Sequence, residues 1–277
     1  MKMSDSVELM SLREACEVVE DAKVSDVKLL FENPQNERKV ILVVEGPDDV
    51  DVYGRLMDSN VVCIYPDCNC DKHEVILRAL NGKYGSRLLA IKDADFDRLE
   101  GRIYQFSNLF LTDTHDLETM IAEDCLMALT GDDKERCSGI NLLEIYAELE
   151  DISYLKWYNQ HYHTCIDFST VLPTLDFESY FNSAVAATSY TVSVALADVA
   201  AFKAQHSDAP VKDVCNGHDL FERIYVRAKA AKRANYQKKQ FFKRMRAAYP
   251  KISFANTTLF QHIKSWESAN KRTILAV

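Results

Sequence analysis

Between residues 39 and 130, runs of continuous apolar residues alternate with stretches whose apolar positions recur three to four residues apart. KVILVV at 39–44 has no polar alternation, which predicts a strand buried on both faces. Gly46-Pro47 then turns the chain, Pro47 suits a first helical position, and Val50, Tyr53 and Leu56 follow at helical spacing. VVCIYP predicts a second strand, HEVILRAL a second helix, and SRLLAIKDAD a third strand that runs into acids. SNLFL predicts a fourth strand, followed by a helix through LETMIAEDCLMAL. This alternation predicts an α/β fold of parallel βα units with helices covering both faces. In such sheets the functional crevice lies beyond the carboxyl ends of the strands, where the acid clusters of this segment fall.

Residues 7–35 predict a partly helical lead-in broken at Pro34. From about Gly131 the strand signals fade, and LLEIYAELEDISYLKWYNQ, SYFNSAVAATSYTVSVALADVAAFKAQ and the stretch at 222–246 all suit helices. The expected organisation is a lead-in at 1–38, an α/β domain at 39–130 and a mostly α-helical region at 131–277. A length of 277 residues with 47% hydrophobic and 27% charged positions suits one large globular domain or two ordinary ones. No run approaches the ~18 apolar residues of a membrane span, and MKMSDSVELM lacks a secretory core, so a cytoplasmic protein without membrane contact is expected. The eight scattered cysteines are expected as reduced thiols.

The net charge of −9 conceals an asymmetry: residues 1–130 hold 26 acids against 14 bases, whereas 222–246 hold ten bases and one acid. The acids form three clusters, each after a strand. Glu45 and Asp49 follow the first strand. Asp93 and Asp95 share one face of KDADFD, with Asp97 continuing the row. Asp113, Asp116 and Glu118 follow the fourth strand. Single acids at helix starts suit caps, and Asp48, Asp49, Asp113 and Asp116 each fit that description. Convergence of three clusters, however, needs a cation to offset their repulsion. Oxygen-only donors favour Mg²⁺ or Mn²⁺, and two ions about 4 Å apart would serve phosphodiester cleavage. The expected ligands are Glu45, Asp49, Asp93, Asp95 and Glu118, with Asp97 and Asp116 as further candidates.

VEGPDDVDVY and the later DxD of IKDADFD resemble the Toprim domain of topoisomerases, DnaG-type primases and OLD-family nucleases. The aspartate four residues after Glu45 is similar to the OLD-type variant. LTDTHDLE and NGHDL extend the resemblance to a bacterial Toprim family that includes the effector subunit of the PARIS anti-phage system. The resemblance implies a Rossmann-like Toprim domain at 39–130 and a metal-dependent endonuclease in which Glu45, Asp93 and Asp95 are catalytic. It further implies an RNA substrate, tRNA in PARIS, and an abortive-infection role controlled by an ATPase of ABC or AAA type. This chain carries no GxxxxGK[ST], so that ATPase would be a separate protein. OLD-type enzymes also use a lysine near the scissile phosphate; Lys92 beside the DxD is the candidate, with lysines of the basic stretch as alternatives. A DNA nuclease of OLD type and a non-catalytic partner of an ATPase are the alternative functions. A homodimer surface on the helical region is also compatible with the sequence.

Arg227, Lys229, Lys232, Arg233, Lys238, Lys239, Lys243 and Arg244 are expected to neutralise phosphates. The same spacing suits a solvated helix face with Tyr225, Tyr236, Phe241, Phe242 and Met245 packed inward. Cys68, Cys70 and His73 in CNCDKH lie close enough for zinc but lack an obvious fourth ligand, and His161 and His163 have similar standing. His115, inside THDLE, suits either substrate contact or support of the metal ligands. A phosphoacceptor α/β domain with Asp93 as nucleophile is a further class, but it leaves Glu45 and Asp49 without a role.

Overall fold

Four strands form where the apolar runs place them: β1 (Val40–Val44), β2 (Val62–Pro66), β3 (Leu88–Lys92) and β4 (Leu109–Leu111). The computed structural model describes residues 4–67, 73–169, 171, 176–189, 193–231 and 237–276, with side chains from residue 18 onward. The strands pair in parallel in the order β2-β1-β3-β4, with Val40 opposite Val62, Ile41 opposite Leu88 and Ala90 opposite Leu109. Parallel neighbours require crossovers. After α1 (Ser4–Glu32), helices α2 (Pro47–Leu56) and α3 (His73–Tyr84) supply the first two. The protein is thus α/β, a parallel sheet flanked by helices with a helical remainder, as the pattern predicts.

Every residue of β1 and β3 is buried, which strands covered on both faces require. On one face Ile41, Val43, Leu88, Ala90 and Leu109 join Val27 and Phe31 of α1 and Ile76, Leu77, Leu80 and Tyr84 of α3. Phe31 stacks on Tyr84 with ring centres 4.1 Å apart, and the Arg87 guanidinium lies 5.1 Å from the Phe31 centre. Burying each large apolar side chain is worth about 1.5–3 kcal/mol. The carboxyl end of the lead-in helix is therefore part of the sheet core, and it ends at Glu32, where Asn33 caps a short turn opened by Pro34.

Contacts divide the chain into two compact units: residues 1–92, 104–111 and 254–277 form the first, and 93–103 and 112–253 the second. Both are discontinuous, whereas the sequence pattern favours contiguous segments at 39–130 and 131–277. The named elements of the second unit are all helical: α4 (Leu117–Ala128), α5 (Gly131–Cys137), α6 (Leu142–Tyr162), α7 (Phe177–Ala187), α8 (Leu196–Gln205), α9 (Val211–Val214), α10 (Gly217–Ala231) and α11 (Lys238–Ala248). Within it Phe96, Tyr154, Trp157, Phe202 and Val214 form an apolar cluster. The Trp157 indole N–H donates to Glu100 at 2.5 Å, and Phe96 stacks over Trp157 at 6.0 Å. The acid-rich segment after β3 is thereby anchored on α6. No helix among the described residues is long and apolar enough to cross a membrane.

After α12 (Lys251–Ala255), helix α13 (Thr258–Asn270) returns to the sheet unit. There the buried Glu267 accepts the backbone N–H groups of Ile274 and Leu275 at 2.5 and 2.9 Å and receives Lys264 at 2.6 Å. Leu275 in turn bridges to Met57, and the Ala276 N–H donates to the Leu56 carbonyl at 2.8 Å. Glu267→Ala leaves two buried N–H groups without an acceptor and is expected to cost about 2–4 kcal/mol, read as a lower urea midpoint at unchanged m-value.

Candidate functional site

Parallel pairing sends every strand out of the sheet at the same edge. Val44 is opposite Pro66, so Glu45 and Asp67 leave β1 and β2 side by side, and the Asp67 N–H donates to the Val44 carbonyl at 2.8 Å. The Gly46 N–H donates to the Asp49 carboxylate at 2.7 Å, which closes the turn that carries Glu45. Pro47 opens α2 directly afterwards. Lys92, the last residue of β3, is 2% exposed. Asp67 is fully buried; Lys23 of α1 bonds its carbonyl and lies 3.7 Å from its carboxylate. His73 at the start of α3 is also fully buried, and neither ring nitrogen has a hydrogen-bond partner among the described residues. Burial first, and the Lys92 charge second, push its pKa down to about 3. It is therefore a neutral imidazole at physiological pH. Cys68 and Cys70, the other members of the expected zinc array, lie outside the described residues.

The second and third acid clusters belong to the helical unit and organise the start of α4. Asp93 accepts the Leu117 N–H at 3.0 Å, so its carboxylate sits at the first turn of that helix. The Ala94 N–H donates to the Thr112 hydroxyl at 2.9 Å, and the Asp95 N–H to the His115 carbonyl at 2.6 Å. Asp95 holds a left-handed backbone with φ of 45°, a conformation aspartate tolerates better than most residues. His115 is 3% exposed, with Nδ1 3.9 Å from Asp95 and 3.7 Å from Asp116 and its ring edge-on to Phe96 at 4.7 Å.

Asp116 and Glu118, expected as metal ligands, carry other duties. Asp116 is the N-cap of α4: it accepts the Thr119 N–H at 2.9 Å and the Gly217 N–H at 2.5 Å. A Cβ at position 217 would overlap the Asp116 carboxylate and approach Glu118 Cβ to 2.5 Å, so only glycine fits. Glu118 accepts Arg246 Nη2 at 2.8 Å and Nε at 3.2 Å, and the two side chains are 7% and 4% exposed. The same guanidinium lies 5.7 Å from the Phe221 ring centre. Asp97 faces Arg102 at 3.5 Å, and Asp219 of the NGHDL stretch pairs with Lys156 at 2.5 Å. Burial, with Asp116 and Asp219 nearby, pushes the Cys215 thiol up, so it stays protonated. Among the described residues, no group of three or more His, Cys, Asp or Glu side chains is disposed to hold a metal ion.

The basic stretch is partly neutralised inside its own unit. Arg227 pairs with Glu144 at 3.1 Å and also with Glu148, Lys238 with Glu222 at 2.9 Å, and Arg244 with Asp133 at 2.5 Å. Lys229 lies 5.8 Å from the Tyr225 ring centre, Lys239 and Lys243 are exposed, and Lys232 and Arg233 lie outside the described residues. His161 pairs with Glu100 at 2.9 Å and His163 ends α6 in a left-handed turn.

Sequence reading missed Asp67 and Arg246. Asp67 follows β2 as Glu45 follows β1, so the rule that singled out Glu45 applied to it equally. Arg246 is four residues after Phe242 and three before Tyr249, on the inward face of α11, where an arginine needs an acid partner. Comparison of the chain with protein-family models, curated proteins and solved structures returns no match.

Glu118→Ala removes the buried carboxylate that receives Arg246 and is expected to cost about 3–5 kcal/mol in urea unfolding, while Glu118→Leu combined with Arg246→Met recovers most of it. Unchanged stability of the single variant would return Glu118 to the ligand set. A second outcome concerns pH. The unfolded His73 protonates near 6.5 and the folded one only near 3, so its contribution is complete above pH 6.5 and is lost as pH falls toward 3. His73→Leu should flatten the pH dependence of unfolding in that window by up to about 1.4 kcal/mol per pH unit.

Proposed function

We propose that the chain is a metal-dependent phosphodiester hydrolase of Toprim type that cleaves nucleic acid, RNA before DNA. The observation that carries this reading is the register of the two central strands. β1 and β3 are parallel neighbours with Val43 opposite Ala90. Extending that register by two residues sets Glu45 opposite Lys92, and Asp93 is the next residue of the chain. A glutamate therefore leaves β1 beside Lys92, the last residue of β3, at the carboxyl edge where open α/β sheets bind their ligands, and the DxD follows Lys92 in the sequence.

The donor chemistry of Glu45, Asp49, Asp93 and Asp95 is all carboxylate, which suits Mg²⁺ or Mn²⁺ and not zinc. Such an ion, when bound, supplies charge stabilisation at the phosphate and a more acidic water. Asp49 fixes the Glu45 turn through the Gly46 N–H. Asp93 is oriented by the Leu117 N–H, and Asp95 by its own backbone bond to His115. Lys92, nearly buried at the end of β3, is the lysine that this reading assigns to a phosphate oxygen. Asp116 and Glu118 serve in this reading as supports for α4, not as ligands. An RNA substrate, control by a separate ATPase and a role in phage defence rest on the resemblance of VEGPDD, IKDADFD and LTDTHDLE to the PARIS-type effector family. A non-catalytic subunit is the second reading, favoured by the Arg246 contact that occupies Glu118.

The test is incubation of the purified chain with total tRNA, other RNA and plasmid DNA in Mn²⁺, beside Glu45→Ala. The parent is expected to cleave RNA, and the variant to lose cleavage by a factor of about 10³ or more with an unaltered unfolding curve. Equal cleavage by parent and variant would remove Glu45 from the site. Absence of cleavage by the parent, with any metal or ATPase added, would favour the non-catalytic reading.

A further inference from the structure

Bases of the sheet unit gather where the sequence does not group them. Arg38 and Lys39 precede β1, Lys83 is in the last turn of α3, Arg87 precedes β3, and Lys271 and Arg272 follow α13. Hydrogen bonds bring these segments together at the amino edge of the sheet, the opposite end of the strands from Glu45 and Lys92. Arg87 donates to the carbonyls of Asn36 at 3.3 Å and Lys39 at 3.5 Å, and also to that of Glu37. Arg272 donates to the Ser86 carbonyl at 3.0 Å and the Arg38 carbonyl at 3.3 Å. Lys39 reaches the Ser59 carbonyl at 3.0 Å, and Lys83 and Arg87 share the Tyr84 ring, 4.8 and 5.9 Å from its centre.

These acceptors are neutral carbonyls, so they orient the cations without cancelling their charge. None of these lysines and arginines forms an ion pair with a carboxylate among the described residues. Arg227, Lys238 and Arg244 of the helical unit, by contrast, each meet an acid. The acids near the edge are Glu32, which pairs with Lys28 at 3.9 Å, Glu37, and Asp58, which accepts the Asn60 N–H at 2.9 Å; they leave the bases in excess. Lys271 ends α13 with φ of 51°, the left-handed conformation that glycine takes at lower cost. The lysine therefore adds charge at a position where folding alone favours glycine.

We propose that this basic edge binds the phosphate backbone of a nucleic acid. Guanidinium planes held by carbonyl bonds present their remaining N–H groups as oriented donors, which is the geometry phosphate oxygens accept. A chain of net charge −9 has no general attraction for a polyanion, so the attraction has to be local. A membrane surface fits less well: none of the exposed large apolar side chains among the described residues lies in 36–39, 83–87 or 271–273, and interfacial binding needs apolar insertion besides charge. That the anion is a polynucleotide rests on the hydrolase reading proposed above. The length of β1 separates this edge from Glu45 by about 17 Å, roughly five base pairs, so a longer duplex can touch both.

The full chain in EDTA, which stops metal-dependent cleavage, is titrated by fluorescence anisotropy with a labelled RNA hairpin between about 50 and 200 mM salt. A dissociation constant on the order of 1 μM at the lowest salt is expected, with a log–log salt slope of about −3 or steeper. Arg38→Ala combined with Lys271→Gly removes two cations whose side chains make no hydrogen bond or ion pair among the described residues. The pair of changes is expected to weaken RNA binding at least about tenfold and to make the slope shallower by about 2, with an unfolding midpoint that does not fall. Unchanged affinity in that variant, no RNA binding up to about 100 μM, or tighter binding to phosphatidylserine vesicles than to RNA overturns the surface. Binding that depends on Arg38 and Lys271, in a parent that cleaves nothing with any metal or ATPase added, upholds the surface and leaves the non-catalytic reading of the carboxylate edge.

Discussion

Parallel pairing of β1 with β3, buried on both faces, is the constraint from which the rest of the molecule follows. A parallel pair cannot close through a hairpin, so each strand must be followed by a crossover, and all strands leave the sheet in one direction. That direction sorts chemistry by edge. At the carboxyl edge the chain presents Glu45, Asp67 and Lys92. At the amino edge it presents Arg38, Arg87, Lys271 and Arg272, gathered by bonds to backbone carbonyls. One sheet thus separates a mainly acidic end from a basic one.

Charge is handled differently in the helical unit, where carboxylates serve mainly as local structural partners. Asp116 caps α4 and holds Gly217, Glu118 receives Arg246, and Asp219 receives Lys156. Removing an ion pair of this kind from water is expensive, and the second bonds to backbone and ring groups are what make burial tolerable. The basic stretch behaves similarly, because Arg227, Lys238 and Arg244 each meet an acid within the unit. A ratio of ten bases to one acid in a local window therefore overstates the charge available to a partner. Acids distant in sequence offset part of it.

The alternation of buried runs and helical spacing was legible because each depends on neighbours a few residues away. Val40–Val44, Val62–Pro66, Leu88–Lys92 and Leu109–Leu111 appear as strands where the apolar runs lie. The strand-end positions of Glu45 and Asp93 follow from the same pattern. The docking of α1 was not legible in this way, since a lead-in helix and a core helix differ only in what they meet, here Tyr84 and Arg87. NGHDL entered the sequence reading only through the family resemblance; its glycine is required by the Asp116 carboxylate 101 positions earlier in the chain.

The sequence by itself determined the α/β class, the parallel sheet and the strand ends on which carboxylates stand, because hydrophobic period and turn chemistry are local properties. Only the tertiary structure decided which acids are partnered, that Arg246 rather than a neighbour in sequence meets Glu118, and that the C-terminal helix returns Lys271 and Arg272 to the amino edge of the sheet. Those outcomes depend on distances between residues far apart along the chain, and side-chain identity alone does not encode a distance.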